Sequence, residues 1–382
     1  MRLTTFSLCY VPFTAARTYQ GPIFSILVLF FLLLPGWSQA QSVRAVSADS
    51  VDAIVRKRMS ANHMPGASIA VVHQGNVVLA KGYGLANVEL NVAASPQSVY
   101  AIASISKQFI ATGIQLLAQD GKLKLDDEIH KYYPQAPQTW QGITLRHLLS
   151  HTSGIVREGP AFNSAKRQPD SVIVQSAFSL PLQFPIGSKW QYCNVGYFAL
   201  ADIIRKVSGQ PWDVFLKQRV FEPVGMTATR TTTLSELVPN RVDGYEWEAD
   251  QLHRAIPYRA LRPSGAFLST VLDLAKWDAA LYTDKILTQA SRKQMWTPVL
   301  LSNGSSYPYG FGWRVDSLQG VQRIHHSGSL PGFRTEYARF PQSGISVVVL
   351  TNGEGDEPVQ MAQDIALLYI RSFNEKSGNK KQ

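Results

Sequence analysis

Two clusters of β-branched residues lie at opposite ends of this sequence, separated by a long stretch of helical patterns. Near the N-terminus, "ASIAVVHQGNVVLAKGYG" holds two apolar runs joined at His73-Gln74-Gly75-Asn76, a hairpin signal. Toward the C-terminus, "VQRIHHSG", "FRTEYARF" and "GISVVVLT" are separated by turn residues at Pro331-Gly332 and between Pro341 and Gly344. Neither set alone makes an independent core. The two ends are therefore expected to meet in one antiparallel sheet, giving an α+β fold with flanking helices. The sheet lobe comprises residues about 51–100 and 305–372, and a helical lobe spans about 104–300. Val51 to Asn62 reads as a short helix, "VGYFALADIIRKVSGQP" as a helix stopped by Gly209 and Pro211, and "PVQMAQDIALLYIR" as a closing amphipathic helix. A cleft is expected where the lobes meet.

Residues 23 to 34, "IFSILVLFFLLL", are apolar apart from Ser25, yet shorter than the ~20 residues of a spanning helix. Arg2 and Arg17 precede the run, no acidic residue does, and Ser38 and Ala40 follow it. Residues 1–40 thus read as a secretory signal, and 41–382 as an exported, periplasmic or extracellular chain. Membrane contact is expected only if that leader stays uncleaved. Its removal leaves 35 Lys and Arg against 27 Asp and Glu, a net charge of +8. No dense basic stripe with interleaved aromatics occurs, so nucleic-acid recognition is not expected. Cys9 leaves with the signal, so Cys193 stands alone and an intrachain disulfide is excluded. Nothing in the sequence fixes an oligomeric state.

The stretch "YAIASISKQFIATGIQLL" places Ser104 and Lys107 three residues apart, as neighbours on one helical face. Ser106 and Lys107 would instead point about 100° apart. Ile102, Ile105, Phe109 and Leu116, widened by Ile110, Ile114 and Leu117, embed this helix on most sides. Burial lowers a lysine's pKa, and a neutral amine beside a hydroxyl can take its proton. A helix N-terminus also favours developing negative charge. S-x-x-K alone is weak, since Ser377 and Lys380 match it in the polar tail; a helix cap with a snorkelling lysine is the bland reading. Two further elements strengthen the chemical one. They are Tyr192 and Asn194 in "WQYCNVGY", and His326-Ser327-Gly328 in "IHHSGSLPGF".

The ordered triple S-x-x-K, Y-x-N and H-S-G resembles the serine penicillin-recognising enzymes. Tyrosine in the second element is similar to the class C β-lactamases and to the D-alanyl-D-alanine carboxypeptidases and esterases grouped with them. "ITLRHLLSHTSGI", "FEPVGMTATR", "PSGAFLSTVLDLAKW" and "YGFGWRV" also look like this family, and the likeness covers roughly Val51 to Ile370. It implies a β-lactamase/transpeptidase-like fold and an acyl-serine mechanism without metal or cofactor. Carried over by position, Ser104 is the nucleophile, and Lys107 and Tyr192 share the general-base work. Asn194 binds the substrate's amide side chain, and the backbone N–H groups of Ser104 and Ser329 form the oxyanion hole. His326, Ser327 and Gly328 form the third element. His326 is a departure, because the β-lactamases usually carry lysine there. Histidine is mostly neutral at pH 7 unless a carboxylate raises it, so the expectation leans away from efficient β-lactam hydrolysis. It favours a carboxypeptidase, peptidase or esterase acting on small-molecule or peptide substrates, including peptidoglycan-derived ends that carry a D-amino acid. A protonated His326 anchoring a substrate carboxylate would make kcat/KM fall as pH rises. The rivals are a true class C-type β-lactamase and a non-turnover penicillin- or peptidoglycan-binding or scaffolding module; the intact triple weighs against the module.

Other signals carry less. His147 and His151 have ligand-like i, i+4 spacing, but Leu148 stands where H-E-x-x-H needs glutamate, so they read as structural loop residues. Cys193 reads as a buried small apolar residue. "KSG" at Lys376–Gly378 has no strand around it. No G-x-S-x-G elbow, Walker loop or Rossmann fingerprint is present.

Overall fold

The computed structural model describes Val46 and residues 48–260, 262–355 and 357–378. The leader assigned to residues 1–40 lies outside them. The strands that organise the fold are β1 (Gly66–His73), β2 (Asn76–Asn87), β3 (Val92–Ala93), β4 (Arg314–Leu318), β5 (Val321–Leu330), β6 (Phe333–Phe340) and β7 (Ile345–Thr351). They form one antiparallel sheet in the order β4-β5-β6-β7-β1-β2-β3. The N- and C-terminal strand sets therefore share a sheet, joined where β1 pairs with β7 from Ala67↔Thr351 to His73↔Ile345. The β1–β2 hairpin turns at Gln74 (φ 49°) and Gly75 (φ 79°), the paired left-handed residues that match the strands' twist.

The helices that matter here are α1 (Ala48–Ala61), α2 (Lys107–Gln119), α3 (Leu145–Leu149), α4 (Asn194–Ser208), α5 (Val271–Ala280) and α6 (Glu357–Gly378). Both faces of the sheet are covered. Val347 and Val349 of β7 pack with Val51 and Val55 of α1 and Met361 and Ile365 of α6. Their neighbours Val348 and Leu350 join the larger core with Phe109, Leu200 and Trp277. This is why "ISVVVLT" shows no polar alternation: each of its aliphatic side chains is buried, worth roughly 1.5–3 kcal/mol apiece. Among the described residues, no helix is long and apolar enough to cross a membrane.

Two details depart from the sequence expectation. The region expected to be helical contains a hairpin, Tyr245–Glu248 with Gln251–Arg254, turning at Ala249 (φ 49°) and Asp250 (φ 61°). Only Asp250 is a turn-former there, a weaker signal than the Asn-Gly or Asp-Gly pair that marks such hairpins. The α-helix that follows Ser104 begins only at Lys107, after a 3₁₀ turn over Ala103–Ser106.

One buried carboxylate clamps α5 to the sheet. Asp278 Oδ1 accepts from Tyr337 Oη (2.8 Å) and Arg339 Nε (2.7 Å) on β6 and from Ser346 Oγ (2.6 Å) on β7. Asp278 is 0% and Arg339 1% exposed, so removing one partner strands the other's charge in the core. Asp278→Ala is expected to cost about 3–5 kcal/mol, read from the urea midpoint at constant m-value. A loss below about 1 kcal/mol, the range of an exposed pair, would refute the clamp.

Candidate active site

Ser104 lies in the 3₁₀ turn ahead of α2. With ~3.0 residues per turn, positions i and i+3 eclipse each other, which aligns Ser104 and Lys107 more closely than an α-helix would. Lys107 Nζ is 3.3 Å from Ser104 Oγ and donates to the Ser264 carbonyl at 2.9 Å. The lysine is 0% exposed. Burial, with a smaller contribution from the Arg262 charge, holds its pKa well below the usual lysine range.

Backbone packs directly on this turn. A Cβ on Gly328 would lie 2.5 Å from the Ile102 oxygen and 2.9 Å from Ala103 Cβ, so β5 can run alongside only with glycine there. Gly312 of "YGFGW" (φ 75°) likewise sits where a Cβ would be 2.8 Å from the Lys107 oxygen. Ala103 holds a left-handed φ of 49° immediately before the serine, a conformation that surrounding structure must enforce.

Tyr192 occupies the coil before α4 and lines the same cleft as Ser104. Its ring centroid is 4.6 Å from Lys107 Nζ. Burial pushes the phenol up to about 12, against the opposing effects of the Ser104 hydroxyl and of Arg314, Arg157 and Arg262. The next residue caps the helix: Gly196 N–H donates to Cys193 Sγ at 3.3 Å, and the thiol donates to the Val156 carbonyl. Burial pushes this thiol up to about 12. Asn194 lies in the first turn of α4, and its Nδ2 donates to Glu158 Oε1 at 2.5 Å. Glu158 in turn is ion-paired with Arg262. Ser104, Tyr192, Asn194, His326, Ser327 and Ser329 all line one cleft of about 490 Å³, with Gly328 buried behind it. Strand β5 runs on through Ser329 to Leu330, beyond the end at Gly328 that the sequence indicated.

His326 is not a cation in this structure. It is 2% exposed, and burial, aided by the nearby Lys107, drives its pKa well below 6.5. Its tautomer follows from the partners. Nδ1 is 2.7 Å from the Ser327 carbonyl, which only accepts, so Nδ1 carries the proton. Nε2 must then accept from the Tyr309 hydroxyl, 3.0 Å away. At the far end, Cys193 N–H donates to His151 Nδ1 at 3.1 Å. His151 Nε2–H is therefore free to donate to Tyr309 Oη at 3.2 Å. Four hydrogen bonds run in one direction from the cap of α4 to β5, through two neutral imidazoles and a phenol. Burial, and then Lys107 and His326, depress His151 as well.

The sequence reading of His147 and His151 as structural loop residues gave His151 no place at this site, and Tyr309 carried no signal of its own. The structure separates that pair, because His147 Nδ1 accepts the Thr144 N–H at 3.1 Å and closes a capping box on α3. Among the described residues, no group of three or more His, Cys, Asp or Glu could hold a metal ion. His325, on the opposite face of β5, has the opposite electrostatics. Burial would depress it, but the Glu336 carboxylate (2.7 Å) and Asp316 (3.2 Å) outweigh that and raise its pKa.

A family model described as Beta-lactamase matches residues 51–370. The chain belongs to the beta-lactamase family. It is 31% identical over 322 residues to penicillin-binding protein 4* of Bacillus subtilis, a match covering 78% of this chain and 71% of that one. Among solved structures it is similar to the octameric penicillin-binding protein homologue of Pyrococcus abyssi, at 28% identity and TM-score 0.75 over 84% of this chain and 77% of that one. A D-amino acid amidase of Ochrobactrum anthropi SV3 shares the fold, with TM-score 0.71 and 23% identity over 87% of this chain and 99% of the amidase. The α+β, β-lactamase/transpeptidase-like architecture expected from the sequence is thus the architecture found.

The tautomer assignment is directly measurable. Long-range ¹H–¹⁵N spectra are expected to show His326 protonated on Nδ1 and His151 on Nε2, both neutral at pH 7 and still neutral at the histidine reference of about 6.5. An imidazolium pattern at either ring at pH 7 would refute the chain.

Proposed function

We propose that this protein is a serine hydrolase that cleaves amide or ester bonds through an acyl-Ser104 intermediate, with substrates of the D-alanyl peptide, amide or ester type. The observation that carries this reading is the 3.3 Å contact between Ser104 Oγ and a fully buried Lys107 amine. Lys107 already donates one hydrogen to the Ser264 carbonyl. Its deprotonated form therefore has a lone pair to receive the Ser104 proton as Oγ attacks the substrate carbonyl. Tyr192, whose phenol burial raises to about 12, stays protonated at neutral pH. It is suited to hand its proton to the departing amine or alkoxide and to recover it through Lys107, which divides the work between the two groups. In this reading the N–H groups of Ser104 and Ser329 hold the oxyanion, a contribution of about 3–4 kcal/mol per donor. Asn194, braced by Glu158, orients the acyl-side amide. Water then attacks the acyl-enzyme by the reverse route.

Ser104→Ala is expected to lower kcat/KM on p-nitrophenyl esters and D-alanyl peptides by at least ~10³-fold, and Lys107→Ala by ~10²–10⁴-fold. A fluorophosphonate probe should label the parent and not Ser104→Ala. A stable probe adduct without turnover on any ester, D-alanyl peptide or cephalosporin would favour a binding module instead. Turnover of a cephalosporin at rates comparable with esters would favour a true β-lactamase.

The pH profile follows from the base. Below its own pKa Lys107 is an ammonium and inactive, so kcat/KM on a neutral ester should rise with pH through that depressed pKa and then level off. The charged groups acting on the amine are Arg262, Arg157 and Glu158; the first and last are paired with each other. Activity still climbing at pH 10, near the ordinary lysine value of about 10.4, would mean the ammonium persists and would overturn the assignment.

We also propose that residues 1–40 direct export and are removed. The arginines ahead of an apolar run and the small residues after it support this. Mass spectrometry of the secreted chain should find Gln41 at its N-terminus; an intact leader would contradict the cleavage.

A further inference from the structure

His325 is 4% exposed, sits on the face of β5 opposite His326, and has no part in the chemistry above. Its Nδ1 lies 2.7 Å from Glu336 Oε1 and its Nε2 3.2 Å from Asp316 Oδ2. An ionised carboxylate only accepts, so both ring nitrogens must donate and the ring is an imidazolium. Arg323 holds Asp316 from the other side in a two-pronged pair, Nε and Nη2 each at 2.8 Å. Two cations and two anions thus link three neighbouring strands, with Asp316 on β4, Arg323 and His325 on β5, and Glu336 on β6.

The cluster rests on one proton. Glu336 is 0% exposed, and among the described residues its second oxygen, Oε2, has no hydrogen-bond partner. Without the imidazolium it is a bare carboxylate in the core, a strongly destabilising situation. Its place in the ladder links it to the cleft. Glu336 faces Ser327 across β5 and β6, and Thr335 faces Gly328. Ser327 supplies the carbonyl that takes the His326 Nδ1–H, and the Thr335 hydroxyl donates to the Ile102 carbonyl, two residues before Ser104. The surrounding charges are engaged elsewhere. Arg314, the cross-strand partner of His325 on β4, has its guanidinium 5.7 Å from the Trp190 ring centroid. Arg334, on the Glu336 face of β6, pairs with Glu354. The charged side chains described on α6 are Asp364, paired with Arg58 of α1, and Arg371, which reaches Gln319. Across the sheet, Lys107 and His326 are held neutral.

We propose that His325 is a positioning residue. As an imidazolium it ties β4, β5 and β6 together behind the cleft, and loss of its proton at alkaline pH loosens the Ser327–Ser329 segment and lowers turnover. The kinetic part rests on the serine-hydrolase reading. Burial opposes the charge, yet Glu336 and Asp316 outweigh it and raise the ring's pKa above 6.5. The stabilisation is therefore complete below the unfolded value of about 6.5 and is lost as pH rises through the higher folded one. The plateau that Lys107 sets should end in an alkaline fall, well before the Tyr192 phenol ionises near about 12.

The test reads the pH profile of a neutral p-nitrophenyl ester in the parent, His325→Asn and Glu336→Gln. In the parent, kcat is expected to fall ~10–100-fold between about pH 7 and about pH 10 with KM little changed, the scale of a small misplacement near the reacting atoms. His325→Asn keeps a donor but no charge, so it should start low and show no alkaline fall. Glu336→Gln removes the carboxylate that deprotonation would strand, so its fall should shrink and lie at lower pH. A merely structural residue would lower activity without moving the profile. A fall retained in His325→Asn, or one of unchanged size and midpoint in Glu336→Gln, would overturn the proposal. Two readouts need no turnover. Long-range ¹H–¹⁵N spectra of the parent at pH 7 should show His325 doubly protonated, and a neutral ring there would overturn it. The urea midpoint of the parent should be lower at about pH 9.5 than at about pH 6, and that drop should largely vanish in His325→Asn; equal drops would count against the cluster. Should His325→Asn fail to fold, Glu336→Gln and the spectra of the parent decide. If the spectra and the urea midpoints behave as expected but no ester is turned over, the hydrolase reading fails and the cluster stands. Turnover with a flat alkaline profile leaves the hydrolase reading intact and removes the positioning role.

Discussion

The arrangement at Ser104 depends on main chain meeting main chain. The third element of the triple reaches the serine only because Gly328 lets β5 lie against Ile102 and Ala103. The tail of "YGFGW" reaches Lys107 only because Gly312 does the same from another side. The Thr335 hydroxyl fastens the contact by donating to the Ile102 carbonyl at 3.1 Å. With its neighbours this close, the turn has little freedom, and the left-handed Ala103 is retained despite its cost of about 1–3 kcal/mol. Rigidity at Ser104 thus comes from absent side chains rather than from strong bonds.

The electrostatics around that turn follow from burial. Lys107, His151 and His326 are all driven toward their neutral forms by desolvation, and a charge on the lysine would depress both histidines further. Permanent charge enters the cleft through guanidinium groups, which do not respond to pH. The adjacent histidines of "IHHSG" show how finely a strand can divide such roles. His325 faces two carboxylates and His326 faces a phenol, a consequence of the two-residue alternation of a β-strand.

Much of this was legible in the sequence. The split strand sets predicted the shared sheet because neither could bury its own face. The spacing of Ser104 and Lys107, with apolar residues around it, predicted a desolvated amine beside a hydroxyl. What escaped was whatever depends on partners distant along the chain. His151 and Tyr309 are 158 positions apart, and no local pattern links them. The neutral state of His326 follows from enclosure by groups that the sequence cannot place near it. The Ala249–Asp250 turn was hidden because its left-handed residues lack the usual glycine or asparagine.

The pairing of β1 with β7 carries a consequence for how the molecule is made. Ala67 has no strand on that side until Thr351 has been synthesised, so the middle of the sheet is the last part able to assemble. Until then β1 and β2 form a hairpin extended only by the two-residue β3, which is at best marginally stable in water. Partners so remote must pay a large loop-closure entropy before any contact is gained, which slows the search for the native state. A nascent copy of this chain therefore keeps an unfinished, adhesive edge through most of its synthesis and depends on delayed, whole-molecule folding.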